Sequence, residues 1–387
     1  MKVIYFFRPS GDTSGVQQKI HYQVEQLLEY GIHVELYPIT GKSSCPEPVS
    51  KSNIFIESLR FSVLTGIIRK LKREADITTS FGILLESLSG TDIIYSRIPY
   101  PTFSVARLLR RPRAGKIVIE YQTIEPLEYR LKGKYWYLIL DVLFGDAIRK
   151  YTDGIVGVTD EITQYEVGRS GNPHKPHITI ANGITVNNCP LRQRIIFNGS
   201  DLHLLFVANV SRWHGLDRLI EGLAAYHGPL QIVLHIAGEG AELPNLKRMA
   251  TDRNLSEQVI FHGFTTGTAL DDLFNTCHIA VGSLGIHRIG LTESSTLKVR
   301  EYCARGIPYI IACKDPDFPD DYPYIYRISP DESPVNIEDV IEFAKRVSAD
   351  PDHPHKMRAY AAEHLDWSVK MKKLKTFLES LVDDSPS

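Results

Sequence analysis

The sequence has few cysteines, almost no net charge and no long apolar run, and each shortage excludes a class of protein. Its 387 residues include five scattered cysteines, and 44 Lys and Arg residues stand against 46 Asp and Glu residues. An odd number of cysteines without a Cys-x-x-Cys pair argues against a disulfide framework and favours a reducing cytosol. A formal net charge of −2 argues against general nucleic-acid binding.

Membrane spans, a signal peptide and metal-ligand clusters are also missing from the sequence pattern. The longest apolar and aromatic stretch, 135–144, is interrupted by Asp141, whereas a spanning helix needs about 20 apolar residues. At the start of the chain, Val3–Phe7 is followed by Arg8 and Pro9, which predicts a strand and a turn rather than a secretory leader. The 14 histidines do not group with cysteines or carboxylates at ligand spacing, so no metal site is predicted.

What is present is an alternation of strand and helix patterns. A strand over Val3–Phe7, an amphipathic helix over 16–30 ended by Gly31, and a strand over 32–37 form a βαβ unit, which implies a parallel sheet. The alternation restarts near Leu202, after a polar and irregular segment, 186–200. Further strands are predicted at 93–95, 117–120 and 154–158, and then at 204–208, 232–237, 259–261, 279–281 and 309–312.

These patterns predict two doubly wound, Rossmann-like α/β domains that bind ligands at the carboxyl ends of their strands. We place the domains at 1–190 and 200–365, with a separate helix in the last part, 366–387. Segment 46–77 is harder to interpret, because basic residues surround its apolar positions. An ordinary solvated helix face and a surface for an anionic membrane both fit it. The basic residues are Arg60, Arg69, Lys70, Lys72 and Arg73.

The most informative stretch starts at Glu293. The residues Ser294–Thr296 are candidate N-caps for a helix that Gly306 ends, so Glu293 precedes this helix and Glu301 lies inside it. Lys298 falls in the early turns, where a cation opposes the helix dipole unless an anion is bound there. The pattern therefore predicts recognition of a sugar joined to a diphosphate.

The two glutamates resemble the paired-glutamate motif of retaining glycosyltransferase family 4, the group 1 glycosyltransferases, whose two glutamates are separated by seven residues. The tail Glu-Tyr-Cys-Ala-Arg-Gly-Ile-Pro, from Glu301 to Pro308, is similar to the family's Glu-Ala-Met-Ala-x-Gly-x-Pro. Segments similar to other strands and turns of the family follow its order, at 153–159, 180–184, 204–221, 234–240 and 259–263. The resemblance implies the glycosyltransferase B (GT-B) architecture. In it an acceptor-binding domain faces a donor-binding domain, and the last helix crosses back to the first.

The resemblance also implies roles for single residues. Glu301 would hold the ribose hydroxyls of the nucleotide and Glu293 the hydroxyls of the transferred sugar. Lys298 and Arg212 would neutralise the diphosphate leaving group, which stabilises charge that develops in the transition state. Glu120, at the end of a predicted strand, would orient the acceptor or stabilise positive charge on the sugar, and a purely structural carboxylate is the alternative. Further donor contacts are implied at Gly15, Asn209, His262, Gly263, Arg288 and Leu297.

Some positions depart from the family pattern. Where the family often has an Arg and a Lys in the first loop of the donor domain, this chain has Asn209 and His214. Ser294 and Thr296 replace glycines that usually follow the first glutamate. The basic cluster that contains Arg288 is typical of transferases of bacterial surface-polysaccharide assembly.

The expected function is that of a retaining, metal-independent hexosyltransferase without a cofactor. Its donor substrate would be a UDP- or GDP-sugar and its acceptor a glycan, lipid-linked in the favoured interpretation, in exopolysaccharide, capsule or lipopolysaccharide synthesis. We expect it in the cytoplasm or on the inner face of the plasma membrane. Two alternatives stay open. One is a catalytically weak nucleotide-sugar-binding or assembly partner, and the other is a nucleotide-sugar epimerase, which needs no acceptor.

Overall fold

The computed structural model describes residues 1–7, 15–38, 47–48, 66–97, 101–193 and 195–383. The chain forms two compact units: unit 1 contains residues 1–181 and 367–387, and unit 2 contains residues 182–366. Each unit is built on its own sheet of mainly or entirely parallel strands. The predicted class of two doubly wound α/β domains is therefore confirmed.

Unit 1 has a seven-stranded sheet in the order β3-β2-β1-β4-β5-β6-β7. All neighbouring strands are parallel except β3, which runs antiparallel to β2 at the edge. The central strands are buried along almost their whole length, as expected of a parallel sheet covered by helices on both faces. The strands are β1 (Lys2–Phe7), β2 (His33–Pro38), β3 (Glu47–Pro48), β4 (Asp92–Ser96), β5 (Lys116–Tyr121), β6 (Gly154–Gly157) and β7 (His177–Thr179).

The helices of unit 1 connect these strands. They are α1 (Gly15–Glu29), α2 (Gly66–Ser87), α3 (Phe103–Leu109), α4 (Glu125–Leu131), α5 (Tyr135–Leu140), α6 (Asp146–Tyr151) and α7 (Asp160–Ser170). A π-helical turn, Asp141–Gly145, joins α5 to α6, so the chain is continuously helical from 135 to 151. The side chains on which the membrane hypothesis for segment 46–77 rests lie outside the described residues.

Unit 2 has a six-stranded, fully parallel sheet in the order β10-β9-β8-β11-β12-β13. Its strands are β8 (Asp201–Val207), β9 (Gln231–Ala237), β10 (Val259–Gly263), β11 (Ile279–Val281), β12 (Tyr309–Ile311) and β13 (Ile325–Arg327). Its helices are α8 (Leu216–Ala225), α9 (Leu243–Asp252), α10 (Thr268–Thr276), α11 (Leu297–Arg305), α12 (Ile337–Ser348) and α13 (His353–Tyr360). The predicted strands of both units are present, and β3, β7 and β13 are additional.

The division between the units falls after Ala181, earlier than the irregular segment 186–200 in which the sequence places it. This segment packs on unit 2 through hydrogen bonds rather than through regular structure. The guanidinium group of Arg192 donates to the carbonyls of Gly306 and Cys277, and the Gln193 amide donates to the Asn275 side chain at 2.8 Å. Segment 186–200 therefore belongs to unit 2, because groups that are distant in the sequence hold it there.

The last helix, α14 (Trp367–Asp383), belongs to unit 1. It packs on α1, where the Tyr30 hydroxyl donates to the Ser368 carbonyl at 2.9 Å and Lys19 lies over the Trp367 ring. Within the described ranges, no helix is both long enough and apolar enough to cross a membrane.

Candidate functional site

The helix α11 starts and ends where its sequence pattern predicts. Thr296 occupies its N-cap position without a side-chain capping bond among the described residues. Gly306 ends the helix in the left-handed conformation, with φ of 77°, and donates to the carbonyls of Tyr302 and Cys303. The first-turn amides of α11 are therefore not capped by Thr296, which leaves this helix end suited to an anion.

Lys298 lies in the first turn of α11 and turns its ammonium group inward. The Nζ atom is buried 4.3 Å from the centre of the Phe206 ring. No hydrogen-bond acceptor reaches it within the part of the chain that the structure describes. Burial disfavours the charged form and lowers the pKa of Lys298 to about 7. An unpaired buried ammonium group is costly, so a bound anion would stabilise it. That this anion is a diphosphate stays a prediction.

His214 lies beside Lys298 and is a packing residue. Its ring meets the Phe206 ring edge-on at 5.0 Å, and its Nδ1 atom accepts the Ser211 amide at 3.0 Å. Burial and the neighbouring Lys298 hold the pKa of His214 well below its ordinary value. His214 is therefore neutral at pH 7 and supplies no positive charge at the position where the family often has a basic residue.

Arg212 and Asn209 are exposed on the loop that follows β8, so their side chains are accessible to a ligand. Arg288 is held differently. Its guanidinium group binds Asp217 at 2.7 Å and Glu332 at 2.6 Å, and it also donates to the Arg212 carbonyl. Two carboxylates neutralise Arg288, and these contacts fix the loop; a contact between Arg288 and the donor stays a prediction.

The two motif glutamates occupy different surroundings. Glu293 pairs through its backbone with Lys314, whose Nζ atom lies 3.8 Å from the Glu293 carboxylate. Glu301 is about a quarter exposed and accepts a hydrogen bond from Arg305 at 2.8 Å. Arg305 in turn binds Asp271 at 2.7 Å. Leu297, between the glutamates, is the first residue of α11 and is partly exposed.

The loops after β8, β9 and β10 are fastened to one another by backbone contacts. The Gly238 amide donates to the Gly263 carbonyl at 2.6 Å. A Cβ atom at Gly238 would lie 1.9 Å from the Ala208 carbonyl oxygen, and one at Gly240 would lie 2.2 Å from that of Val210. Only glycine permits this approach. The loops at the carboxyl edge of the unit 2 sheet are therefore closely packed at Gly263, which was predicted to contact the nucleotide.

His262 belongs to a row of hydrogen-bonded histidines that the sequence analysis did not anticipate. Its Nε2 atom lies 3.0 Å from His235 Nδ1, His235 Nε2 lies 2.8 Å from His203 Nδ1, and His203 Nε2 lies 3.0 Å from Asp201. We call Asp201, His203, His235 and His262 the histidine ladder. The neighbouring rings stack about 5 Å apart, at 5.1 Å and 5.2 Å.

The ladder spans three strands, so only strand pairing brings its members together. Burial lowers the pKa of His235 to about 4 and also lowers the pKa of His262. The described residues contain no group of three or more His, Cys, Asp or Glu side chains that could hold a metal ion.

In unit 1, Glu120 is buried at the carboxyl end of β5. Lys19 from α1 lies 2.6 Å from its carboxylate, Gln122 donates to it at 2.7 Å, and Arg97, just after β4, lies 3.6 Å away. Burial alone would raise the pKa of Glu120, but the charges of Lys19 and Arg97 outweigh it and the pKa is lowered. The charged form of Glu120 is therefore favoured at this edge. Lys19, Arg97 and Gln122 were not predicted, because the first two come from distant parts of the chain. Gly15 is the first residue of α1.

Solved structures with this arrangement are known. The chain superposes on the lipopolysaccharide outer core galactosyltransferase WaaB with a TM-score of 0.66 at 13% identity, covering 98% of this chain and 99% of that one. For sucrose-phosphate synthase from Thermosynechococcus elongatus the TM-score is 0.69 at 14% identity, with 100% of both chains covered. For Anabaena HepE in complex with UDP-glucose it is 0.62 at 14% identity, over 98% and 99%. The protein therefore has the GT-B fold.

Slightly less than half of the chain is similar in sequence to a known family. Residues 190–364 match the family model described as glycosyl transferases group 1. The matched segment contains Glu293, Lys298 and Glu301. No curated protein sequence matches the chain at a significant level.

Proposed function

We propose that the protein is a retaining glycosyltransferase that moves a hexosyl unit from a nucleoside diphosphate sugar to a glycan acceptor. The observation that carries the proposal is Lys298, whose buried ammonium group has no hydrogen-bond acceptor in the described part of the chain, in the first turn of α11. A diphosphate at this helix end supplies the missing negative charge. HepE, which shares the fold, has been solved with UDP and with UDP-glucose, which supports a UDP-sugar as the first donor to test.

In this proposal the groups of unit 2 hold the donor and stabilise its departure. Lys298 and the α11 amides meet the charge that grows on the diphosphate as the bond to the sugar breaks. Arg212, exposed on its loop, adds a second cation. Glu301 accepts hydrogen bonds from the ribose hydroxyls, and Glu293 accepts them from the sugar. Charged hydrogen bonds of this kind contribute about 1.5–3 kcal/mol each.

The proposed role of unit 1 is to present the acceptor. Glu120 is ionised and held by Lys19, so it is suited to orient an acceptor hydroxyl or to stabilise positive charge on the sugar. The acceptor proton passes to the departing phosphate on the same face of the sugar, which retains the anomeric configuration. The phosphate charge is met by amides and basic side chains, so no metal ion is required.

The proposed setting is bacterial surface-polysaccharide synthesis at the inner face of the plasma membrane, with a lipid-linked acceptor. WaaB is described as a lipopolysaccharide outer core galactosyltransferase and WaaG as a glycosyltransferase involved in lipopolysaccharide biosynthesis. Both share the fold of this chain, and their chemistry supports the choice of acceptor class.

The test is a screen of UDP-, GDP- and ADP-sugars for release of the nucleoside diphosphate, with and without a lipid-linked saccharide extract. Acceptor-dependent release, with a product of unchanged anomeric configuration by NMR, is the expected result. Binding without release would favour the catalytically weak alternative, and isomerisation of the donor without acceptor would favour the epimerase.

A further inference from the structure

Large apolar side chains are exposed together on one part of unit 1. The described residues contain 11 exposed large apolar side chains, and seven of them lie between 103 and 143. Isolated exposed apolar residues are normal, but a contiguous patch marks a surface that contacts something. We call this surface the apolar face. Its members are Phe103, Leu131, Tyr135, Trp136, Ile139, Val142 and Leu143.

The apolar face is a continuous surface because of helix geometry. Tyr135, Trp136, Ile139, Val142 and Leu143 recur at the spacing of one helix face and are 50–67% exposed. The side that points inward carries Leu140 and Asp141, which are buried.

The neighbouring helix α3 adds to the same surface. The Phe103 ring lies 5.8 Å from the Phe144 ring, and the Arg110 guanidinium group lies over the Tyr151 ring at 5.3 Å. The first contact joins the start of α3 to the π-helical turn, and the second joins the end of α3 to the end of α6. The helix α3 therefore runs parallel to the helix that ends in α6. The exposed faces of the two helices therefore share one side of unit 1.

A buried ionic network holds this surface in place from behind. Arg149 on α6 binds Asp141 in the π-helical turn and Glu166 on α7, and it lies 3.7 Å from Glu125 on α4. One guanidinium group thus connects three elements beneath the apolar face. The apolar side chains are presented by a fixed scaffold rather than by a loose loop.

Positive charge surrounds the apolar face. The exposed basic residues on its helices and turns are Arg107, Arg110, Arg111, Arg130, Lys132, Lys134 and Lys150. The exposed Asp146 is paired with Arg169, and the half-buried Glu128 is paired with Lys132, which offsets one of these positive charges. At the far end of α3 and α6, a cavity of about 520 Å³ is lined by six basic residues and a single carboxylate, Asp153.

We propose that the apolar face docks unit 1 onto the surface of an anionic phospholipid bilayer. Trp and Tyr favour the region between headgroups and acyl chains, and basic residues around an inserted apolar patch attract anionic headgroups. The inference deepens the proposed function, because it rests on a lipid-linked acceptor for its purpose. The helix α4, which carries Leu131 of the apolar face, follows β5 in the chain, and β5 carries Glu120 near its carboxyl end.

The experiment is co-sedimentation of the full chain with vesicles of phosphatidylcholine, with and without phosphatidylglycerol. The test variant is Trp136→Ser/Val142→Ser/Leu143→Ser, and the matched control is Ile260→Ser/Phe264→Ser, which removes two exposed apolar side chains of unit 2. We expect the wild type and the control to bind anionic vesicles alike and the test variant to bind at least about tenfold more weakly. Arg110→Gln/Arg111→Gln should reduce the preference for anionic vesicles.

Two results would overturn the proposal: a wild type that ignores anionic vesicles, or a test variant that binds them as the wild type does. The alternative occupant of the apolar face is a second copy of this chain, and sedimentation velocity tests it. A wild-type dimer that does not bind vesicles and that the triple substitution dissociates would assign the apolar face to that second copy. UDP binding is measured on the same samples. If the wild type binds UDP but not vesicles, the membrane proposal fails and the proposed function stands. If the wild type binds vesicles but no nucleotide, the proposed function fails and the membrane proposal stands.

Discussion

The ammonium nitrogen of Lys298 lies 4.3 Å from the centre of the Phe206 ring. Phe206 is near the carboxyl end of β8 and Lys298 is in the first turn of α11, so the pair joins two parts of unit 2 that parallel-sheet folds use for ligands. The aromatic face stabilises the cation in part, but burial still lowers the pKa of Lys298 to about 7. An anion bound beside Lys298 would favour the charged form of its ammonium group.

The first prediction is that Lys298→Met separates stability from binding. The pKa of Lys298 is lowered in the folded state, so at pH 7 the unfolded chain holds its proton more readily and the buried ammonium group destabilises the fold. The variant should therefore unfold at a higher temperature than the wild type and should lose nucleotide binding. Lys314→Met, at a residue that is more than half exposed, is the control and should change stability little. A less stable Lys298→Met that still binds nucleotide would contradict this account.

A second prediction follows from the same pKa. At pH 8 Lys298 is mostly neutral in the free protein, and a bound diphosphate raises its pKa, so binding should take up close to one proton. Calorimetry in two buffers of different ionisation enthalpy measures this number. Equal binding enthalpies in the two buffers at pH 8 would show that Lys298 does not meet the diphosphate.

The third prediction concerns Glu120. Glu120→Gln should reduce transfer by about 100-fold or more if the carboxylate acts in the reaction. Removing its charge also takes away the carboxylate that neutralises the buried cations Lys19 and Arg97, which costs about 3–5 kcal/mol. The double variant Glu120→Gln/Lys19→Met should regain part of this stability without regaining transfer. Recovery of both in the double variant would make Glu120 a structural carboxylate.

The fourth prediction concerns the glycine turn after β9. Gly238→Ala places a Cβ atom 1.9 Å from the Ala208 carbonyl oxygen, so the loops must separate, and we expect a loss of more than about 2 kcal/mol. Gly171→Ala is the control, because Gly171 is in the left-handed conformation, with φ of 69° and ψ of 10°, and has no atom within 4 Å of the added Cβ. Its cost should be about 1 kcal/mol. Urea unfolding measures both, and equal losses would refute the close-approach argument.

The fifth prediction is acid sensitivity from the histidine ladder. Burial lowers the pKa of His235 and of the adjoining His278 from 6.5 to about 4. The unfolded chain takes up these protons first, so stability present above pH 6.5 should be lost as the pH falls toward 4. His235→Gln should show a shallower loss than the wild type in urea unfolding followed across this range. If the free energy of unfolding falls with pH equally steeply in the variant and the wild type, groups other than His235 cause the loss of stability in acid.

Local patterns predict the strands and α11 because each depends on residues close together in the sequence. The N-cap residues before Leu297 and the glycine at 306 define that helix without tertiary information. The helix α12 carries a comparable pattern, with Ile337, Val340 and Ile341 buried on one side, although it was not among the predicted elements.

The remaining features depend on contacts between distant residues. Lys19 and Glu120 are 101 positions apart, and the ladder histidines meet only after three strands pair. Arg288 resembles a ligand-binding cation in sequence, yet Asp217 and Glu332 neutralise it in the structure. Burial, which decides the state of Lys298 and His214, is likewise a property of the folded chain.

The most direct test of the central claim is calorimetric binding of UDP, GDP, ADP and their sugars to the wild type and to Glu301→Ala. We expect the wild type to bind one nucleotide series selectively. Removing the Glu301 carboxylate should lower the affinity for that series by about tenfold or more. Glu257→Ala, at an exposed residue of unit 2, should bind as the wild type does. No binding of any of these nucleotides to the wild type would contradict the donor site at α11 and move the protein to the class of partners without donor binding.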